Sequence, residues 1–462
     1  MDLHISQVSY TKRGNVAIIV NNFRLSKYRE MKDGLISFVC TKKSCNYSVA
    51  VDKDYKKIVT EKNVHNHEPM TDQVIERACL QSVLKRKGTE DLCSKPNKLI
   101  RRELNSASTS NLEHSDIRLV RKSMYEARRN LLPPLPTSLE ESLQQLFELS
   151  KMESPKFCYM KGETGIPLFT NVENLELLCS APCVFADGTF SRSPMFFSQL
   201  YTIHVFKNGF YVPVIFAFLS SKSTDTYRTL WSNIKELCLY QLKLAPEITD
   251  IYLDFELAAH NAIKAEFPTC NIHGCNFHLC QSWYRRIQKD KKLLRHYRGN
   301  SDVGKWLKLF YGLSYIPHEI VYNAFTSIML QAPVEGMQFS YYVLTTYIEE
   351  GCSFPPHIWA APPALDCPRT TNGAEAFHRD FNRQFYNPHP NIHHVIKTLE
   401  EVQAESSLKI RSILKGSRNP PRKQIQDKVG FLLDCWEGYL QNNDILAYLT
   451  NVTKYAAPEP EE

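Results

Sequence analysis

The 462-residue chain has no apolar run near the roughly 18 residues that carry a helix across a bilayer. Its start, Met1-Asp2-Leu3-His4, lacks the charged-then-apolar layout of a secretory leader, so no secreted or membrane class is expected. Glycine is sparse at 17 residues and nowhere forms a phosphate-cradling loop. A Gly-x-Ser-x-Gly elbow and a His-Glu-x-x-His helix are also missing, which leaves two common hydrolytic chemistries without their residues. The 14 cysteines are thinly spread, and several sit in short Cys/His clusters. That is the usage of reduced thiols serving as metal ligands or core residues, not of a disulfide scaffold. No internal repeat is present.

What the chain does have is a core-forming composition, 43% hydrophobic and 11% aromatic, enough for two or three domains. Its net charge of +7 is unevenly placed. Residues 1–136 hold 25 Lys and Arg against 15 Asp and Glu, a net of +10, and the remainder carries −3. Basic charge confined to one module suits a phosphate backbone, because each neutralised phosphate releases counterions. A solvated basic face accounts for the same charge without a ligand.

Residues 22–70 alternate as strands do, in Leu35-Ile36-Ser37-Phe38-Val39, Tyr47–Val51 and Lys57-Ile58-Val59. Three helices are predicted next, near Val74–Lys87, near Lys95–Leu104 with Ser94 as cap, and after Ser115. Their polar faces carry Lys85, Arg86, Lys87, Arg101, Arg102, Arg118, Arg121, Lys122, Arg128 and Arg129, the candidate DNA-binding residues. The run Leu131-Leu132-Pro133-Pro134-Leu135-Pro136 is a stiff boundary. Beyond it, strands are expected at Ala181–Phe190, Phe196–Val205 and Tyr211–Leu219. A helix at Thr226–Tyr240, a strand at Ile248–Asp254, a helix at Leu257–Phe267, a strand at Asn271–Cys275 and a helix at His278–Lys289 follow. Three strands and then alternating helix and strand predict a mixed sheet covered by helices. Residues 300–350 and the chain after 392 read as helical.

Cys40 and Cys45, then His65 and His67 after nineteen strand-like residues, form the usual tetrahedral ligand set of structural Zn²⁺. The histidines are one residue apart, unlike the ββα finger. The order Phe38, Cys40, Cys45, His65-Asn66-His67-Glu68-Pro69 resembles the FLYWCH-type zinc finger, with Phe23 and Tyr28 as candidate upstream aromatics.

Three acidic residues stand out by context. Asp187 ends the apolar run Pro182–Ala186, Asp254 ends Ile251-Tyr252-Leu253, and Glu375 sits on a predicted helix Gly373–Phe385. On that helix Phe377, Phe381 and Phe385 form an apolar stripe, and Glu375, His378, Arg379 and Asn382 lie on the other side. Strand-end aspartates taken singly are ordinary turn formers. Together with a glutamate on a packed helix they could hold two Mg²⁺ about 3.5–4 Å apart, as phosphodiester cleavage requires.

The words around them, Phe185-Ala186-Asp187-Gly188-Thr189-Phe190, Tyr252-Leu253-Asp254-Phe255-Glu256, Gly274–Ser282 and Arg369–His378, together resemble Mutator-like (MULE) transposases over about residues 150–400. The resemblance implies a multidomain α+β protein. A FLYWCH-type zinc finger (1–70) and a basic helical DNA-binding or linker region (71–136) precede an RNase H-like core. That core runs over 150–295, is interrupted by a helical insertion (296–368), and resumes over 369–400 with the third acidic residue, before a helical tail (401–462). It further implies Asp187, Asp254 and Glu375 as catalytic ligands of Mg²⁺ or Mn²⁺, with Cys275, His278 and Glu256 as auxiliary candidates. No organic cofactor is expected. Double-stranded DNA, a homodimer on it and a nuclear location follow by the same resemblance. A domesticated, non-catalytic DNA-binding regulator is the alternative. Cys270, His273, Cys275, His278 and Cys280 could assemble a second zinc site, although thiols packed at a strand-to-helix junction, with His278 near the rim, suffice to explain them. Trp283 with Arg285 and Arg286 could approach DNA or belong to an ordinary amphipathic core helix.

Overall fold

Six strands open the chain as one antiparallel meander: β1 (Ile5–Tyr10), β2 (Val16–Val20), β3 (Phe23–Glu30), β4 (Ile36–Cys40), β5 (Ser48–Val51) and β6 (Ile58–Lys62). The computed structural model describes residues 5–10, 15–106, 110–152, 157–364 and 372–458. They belong to two units, Met1–Leu135 and Pro136–Glu462.

In the first unit, one face of the meander buries Ile18, Val20, Leu25, Phe38, Tyr47, Val49 and Val51. The sheet begins earlier than the alternation after residue 22 suggests, because Val16–Val20 is a continuous apolar run and carries no period of two. On the other face Ile19 meets Ile75 and Cys79 of helix α1 (Asp72–Glu90). Helices α2 (Pro96–Ser106) and α3 (His114–Arg129) close a small core with α1 through Leu80, Leu84, Leu99, Ile100, Val120 and Met124. Helix α3 starts before the expected Ser115, since the Asp116 carboxylate accepts the Glu113 N–H and caps the helix there. Helix α2 starts at Pro96, one residue later than a Ser94 cap implies.

The second unit is built on a seven-stranded sheet in the order β13-β12-β9-β10-β11-β8-β7. Its long members are β9 (Cys183–Thr189), β10 (Gln199–Lys207) and β11 (Phe210–Leu219), an antiparallel meander. Strands β12 (Asp250–Leu253) and β13 (Asn271–Gly274) add in parallel beyond β9, each after a helical crossover, α6 (Thr224–Leu242) and α7 (Leu257–Glu266). Two-residue strands β7 (Cys158–Tyr159) and β8 (Leu168–Phe169) extend the other edge, and with helices α4 (Leu139–Ser150) and α5 (Val172–Cys179) they lie ahead of the expected core. Strands this short carry no readable period.

Helix α8 (Asn276–Gln288) leads into a helical stretch: α9 (Lys291–Arg298), α10 (Asp302–Gly312), α11 (Val321–Met329), α12 (Met337–Val343) and α13 (Pro356–Trp359). The chain returns to the sheet with α14 (Asn372–Asn382) and α15 (Ile392–Leu414), and ends in α16 (Lys423–Asn442) and α17 (Ile445–Ala456). Side chains alternate across the sheet, so two cores form. One contains Val184, Ala186, Ile203 and Ile251 with Trp231 and Ile263 of the crossover helices. The other contains Leu200, Phe216 and Phe218 with Phe381, Phe385, Val395 and Leu399 of α14 and α15. No helix among the described residues is long and apolar enough to cross a membrane.

Candidate metal centres

In the first unit, Cys40 at the end of β4 and Cys45 in the turn after it converge with His65 and His67. Cys40 Sγ lies 3.2 Å from His67 Nε2, and Cys45 Sγ lies 3.3 Å from His65 Nδ1. Those separations are close to the edges of a tetrahedron about a cation with metal–sulfur and metal–nitrogen bonds of about 2.3 and 2.0 Å. The turn is fixed by Cys45 N–H donating to the Lys42 carbonyl at 2.9 Å, and Lys42 N–H points at Cys40 Sγ from 3.5 Å. His67 Nδ1 donates to the Glu68 carbonyl at 2.9 Å, which leaves the lone pair on Nε2 facing the thiol. His65 is clamped between Phe23, stacked at 3.6 Å, and Tyr47 at 3.8 Å. Burial and the neighbouring His67 hold His65 below its ordinary value. The donor set fits Zn²⁺. Phe23 thus has a place in the site, Tyr28 is exposed on the surface, and Tyr47, the second aromatic of the clamp, was not singled out by the sequence.

The second centre is organised by the register of the central sheet. Tyr252 of β12 pairs with Phe185 of β9 and with His273 of β13, and the three rings stack at 4.6 and 4.7 Å. Two residues further on, Asp187 lies within β9, while Asp254 and Cys275 are the first residues past the ends of β12 and β13. Thr202 of β10 pairs directly with Asp187 and continues the row. Neighbouring strands are about 4.8 Å apart, which brings Asp254 close enough to Asp187 to feel its charge. Asp187 lies within the strand, which runs on to Thr189, and does not end it.

Helix α14 crosses this row. His378 Nδ1 is 3.2 Å from Asp187 Oδ2, and its Nε2 is 2.8 Å from the Thr202 hydroxyl, which also contacts the buried His204 at 3.0 Å. One turn away on α14, Glu375 Oε1 lies 3.7 Å from Cys275 Sγ and 3.9 Å from His278 Nδ1. Asn382 of α14 bonds Thr189 at 3.1 Å, and Gly373 lies so close to the Tyr211 ring that a Cβ there would overlap it. Gly188 and Gly274 are equally constrained, by the Gln199 amide and the Phe255 ring, which explains a glycine beside each end of the row.

The carboxylates differ electrostatically. Burial works to raise Asp187, but the hydrogen bond and charge of His378, with His278 further off, bring it below the usual range. Burial together with the Asp187 and Glu256 charges pushes Asp254 up to about 7. His260 Nε2 donates to the Asp254 carbonyl at 2.7 Å and fixes its backbone. Glu256 is engaged by the Tyr227 hydroxyl at 3.0 Å and by Lys222 at 3.4 Å, so it flanks Asp254 as an already-paired charge. Asp254 thus feels the charge of Asp187, while Glu375 is brought by α14 to Cys275 and His278.

Other expected residues fall elsewhere. Cys270 points at the Asn271 carbonyl, His273 pairs with Asp250 at 2.7 Å, and Cys280 faces Asn276 and the Ala456 carbonyl. Of the five residues proposed for a second zinc, Cys275 and His278 alone come together, and they do so with Glu375. Trp283 is fully buried, and Arg285 and Arg286 are exposed on the outer side of α8, as in an amphipathic core helix. On the basic helices Arg86, Arg101, Arg102, Arg118, Lys122 and Arg129 are exposed, while Lys85, Lys87 and Arg121 are partly covered. Lys87 is paired with Glu103. Arg128 departs from its expected surface position: it is buried, and its guanidinium donates to the carbonyls of Gly88, Asp91 and Ser94 at 2.7–2.9 Å. Arg369, Thr370 and Thr371 lie outside the described residues. His378, Thr202 and His204 were not assigned from sequence. The available signal was the pattern Phe185-x-Asp187, Tyr252-x-Asp254 and His273-x-Cys275, a ring two residues before a ligand in three strands.

No curated protein matches the chain. Residues 183–282, from the first residue of β9 into α8 and including Asp187, Asp254, Cys275 and His278, match the model of the MULE transposase domain, a match that suggests a transposase-related function.

Proposed function

We propose that the chain is a Mutator-like DNA transposase that hydrolyses a phosphodiester bond at an element end and joins the freed 3′-hydroxyl to target DNA. The observation that carries this reading is Asp187 on β9 and Asp254 at the end of parallel strand β12, with α14 laid across them so that its His378 meets Asp187 and its Glu375 meets Cys275. The strand order supports an RNase H-like core: an antiparallel meander of three, with two parallel strands added beyond the first. Two Mg²⁺ or Mn²⁺ ions would supply an activated oxygen nucleophile and neutralise the entering and leaving oxygens.

The chain's own residues then have distinct tasks. Asp187 and Asp254 offer ligands between them, Glu375 offers one from the opposite side, and His378 holds the Asp187 carboxylate in orientation. His260 keeps the end of β12 fixed. In the N-terminal unit, a zinc-bound FLYWCH-type finger and the exposed arginines of α2 and α3 would hold element-end DNA. A nuclear location and a pair of subunits on two ends belong to the same reading.

The test uses full-length protein and supercoiled DNA carrying the flanking ends. Nicking with Mg²⁺ or Mn²⁺ by wild type and none by Asp187→Asn is the expected result. Specific binding with no cleavage under any divalent ion would overturn the catalytic reading in favour of a transposase-derived DNA-binding regulator.

A further inference from the structure

We propose that Cys275, His278 and Glu375 form a three-ligand site for a thiophilic divalent cation of the Zn²⁺ class, beside the carboxylate row. The inference rests on the functional reading above only in that Glu375 serves both sites.

The geometry gathers three donor atoms around one buried imidazole nitrogen that no hydrogen bond satisfies. The His278 Nδ1 atom is shut away from water and has no hydrogen-bond partner, yet it is turned toward Glu375 Oε1 at 3.9 Å. That is too long for a hydrogen bond. The Cys275–Glu375 separation of 3.7 Å is at best a weak thiol contact. All three ligand atoms nevertheless fall within 4.8 Å of one another. Bonds of about 2.3 Å to sulfur and about 2.0–2.2 Å to nitrogen and oxygen give tetrahedral edges of about 3.4–3.6 Å. A cation among these atoms therefore needs inward shifts of a few tenths of an ångström at the two Glu375 separations, and of about an ångström at most between Cys275 and His278. A desolvated imidazole nitrogen turned toward a carboxylate is costly by itself and becomes favourable when a cation lies between them.

Local structure prearranges the pair. Cys275 is the N-cap of α8 and His278 lies three residues on, so both side chains emerge on one face of the first turn. The Cys275 N–H donates to the Leu253 carbonyl at 2.7 Å, which ties the thiol to the end of β12. Binding displaces the thiol proton to solvent. Thiolate, imidazole and one carboxylate select Zn²⁺ over Mg²⁺ and leave a fourth position open.

Zinc stoichiometry of the full chain, by equilibrium dialysis, tests the site. Wild type is expected to hold two Zn²⁺ per chain, one of them in the finger. Cys275→Ser and His278→Gln should each hold one, and Cys40→Ser should lose the other. Tryptophan fluorescence verifies that the two variants remain folded. With Co²⁺, the wild-type minus Cys275→Ser difference spectrum should contain a thiolate-to-cobalt charge-transfer band. One Zn²⁺ in wild type, or two retained in both folded variants, overturns the inference. Nicking that requires Mg²⁺ and Asp187 would survive that failure. Two zinc ions with no nicking would instead leave this site standing and remove the catalytic reading.

Discussion

Replacing Asp254 by Asn is expected to stabilise the metal-free C-terminal unit at pH 8, although it removes a proposed ligand. Burial and the charges of Asp187 and Glu256 push the Asp254 carboxyl up to about 7, against about 3.9 in an unfolded chain. The folded state thus holds this proton more tightly than the unfolded state does. Stability from the group is intact below about pH 4 and is lost as the pH rises through 7. Three pKa units correspond to about 4 kcal/mol. Part of the residue meets solvent, so about 2–3 kcal/mol is the share expected at pH 8. Asparagine keeps the shape and cannot ionise.

All five tryptophans, Trp231, Trp283, Trp306, Trp359 and Trp436, lie in the C-terminal unit, so their fluorescence in urea reports that unit alone. In chelator, the variant's unfolding midpoint should exceed wild type at pH 8 and converge with it near pH 4. Mg²⁺ should then narrow the gap by binding wild type more tightly than the variant. An Asn variant with no gain at pH 8, or with the same gain at both pH values, refutes the reasoning.

His378→Gln should lower metal-dependent cleavage about 10–100-fold. Because His378 keeps Asp187 below its usual range, the acid limb of the rate profile should also move to higher pH; a fall in rate with an unmoved limb would make His378 merely structural. Gly188→Ala places a methyl group against the Gln199 amide, which itself donates to Tyr227 Oη at 2.7 Å. We expect a loss of about 1–3 kcal/mol in the same fluorescence assay, and no loss would mean the strands part easily there. Arg128→Ala should destabilise the N-terminal unit by about 2–4 kcal/mol in circular dichroism melts, since three carbonyls lose their donor. Arg118→Ala, on the exposed side of the same helix, should leave the melt unchanged and reduce the salt slope of DNA binding by about 1. Equal melts for the two variants would show that the interior position of Arg128 carries no stability.

The proposed ligands were more legible in the sequence than the parts that orient them, for a physical reason. A strand ligand needs an apolar run before it and a chain reversal after it, both within ten residues, so Asp187 and Asp254 announce themselves locally. The Cys40, Cys45, His65 and His67 set is similarly readable because each pair sits in its own short turn. His378 acts on Asp187 from a helix 191 positions later, and Thr202 meets it from a third strand. Nothing in the local pattern of Glu375–Asn382 distinguishes an inward histidine from an outward one until the helix is laid against β9 and β10. Arg128 teaches the same lesson in reverse: helical spacing placed it with the basic residues, and only the carbonyls at the end of α1 draw it inward. Between these extremes lies Cys275. Its word, Cys-x-x-His at the start of a helix, fixes the mutual placement of two proposed ligands, whereas the third, Glu375, comes from α14, 100 positions further along the chain. The stack of rings fixes the register that brings Asp187 within β9 alongside the ends of β12 and β13. An error of one residue in the register of β12 would turn Asp254 to the opposite face and dissolve the carboxylate pair while leaving every motif in the sequence intact.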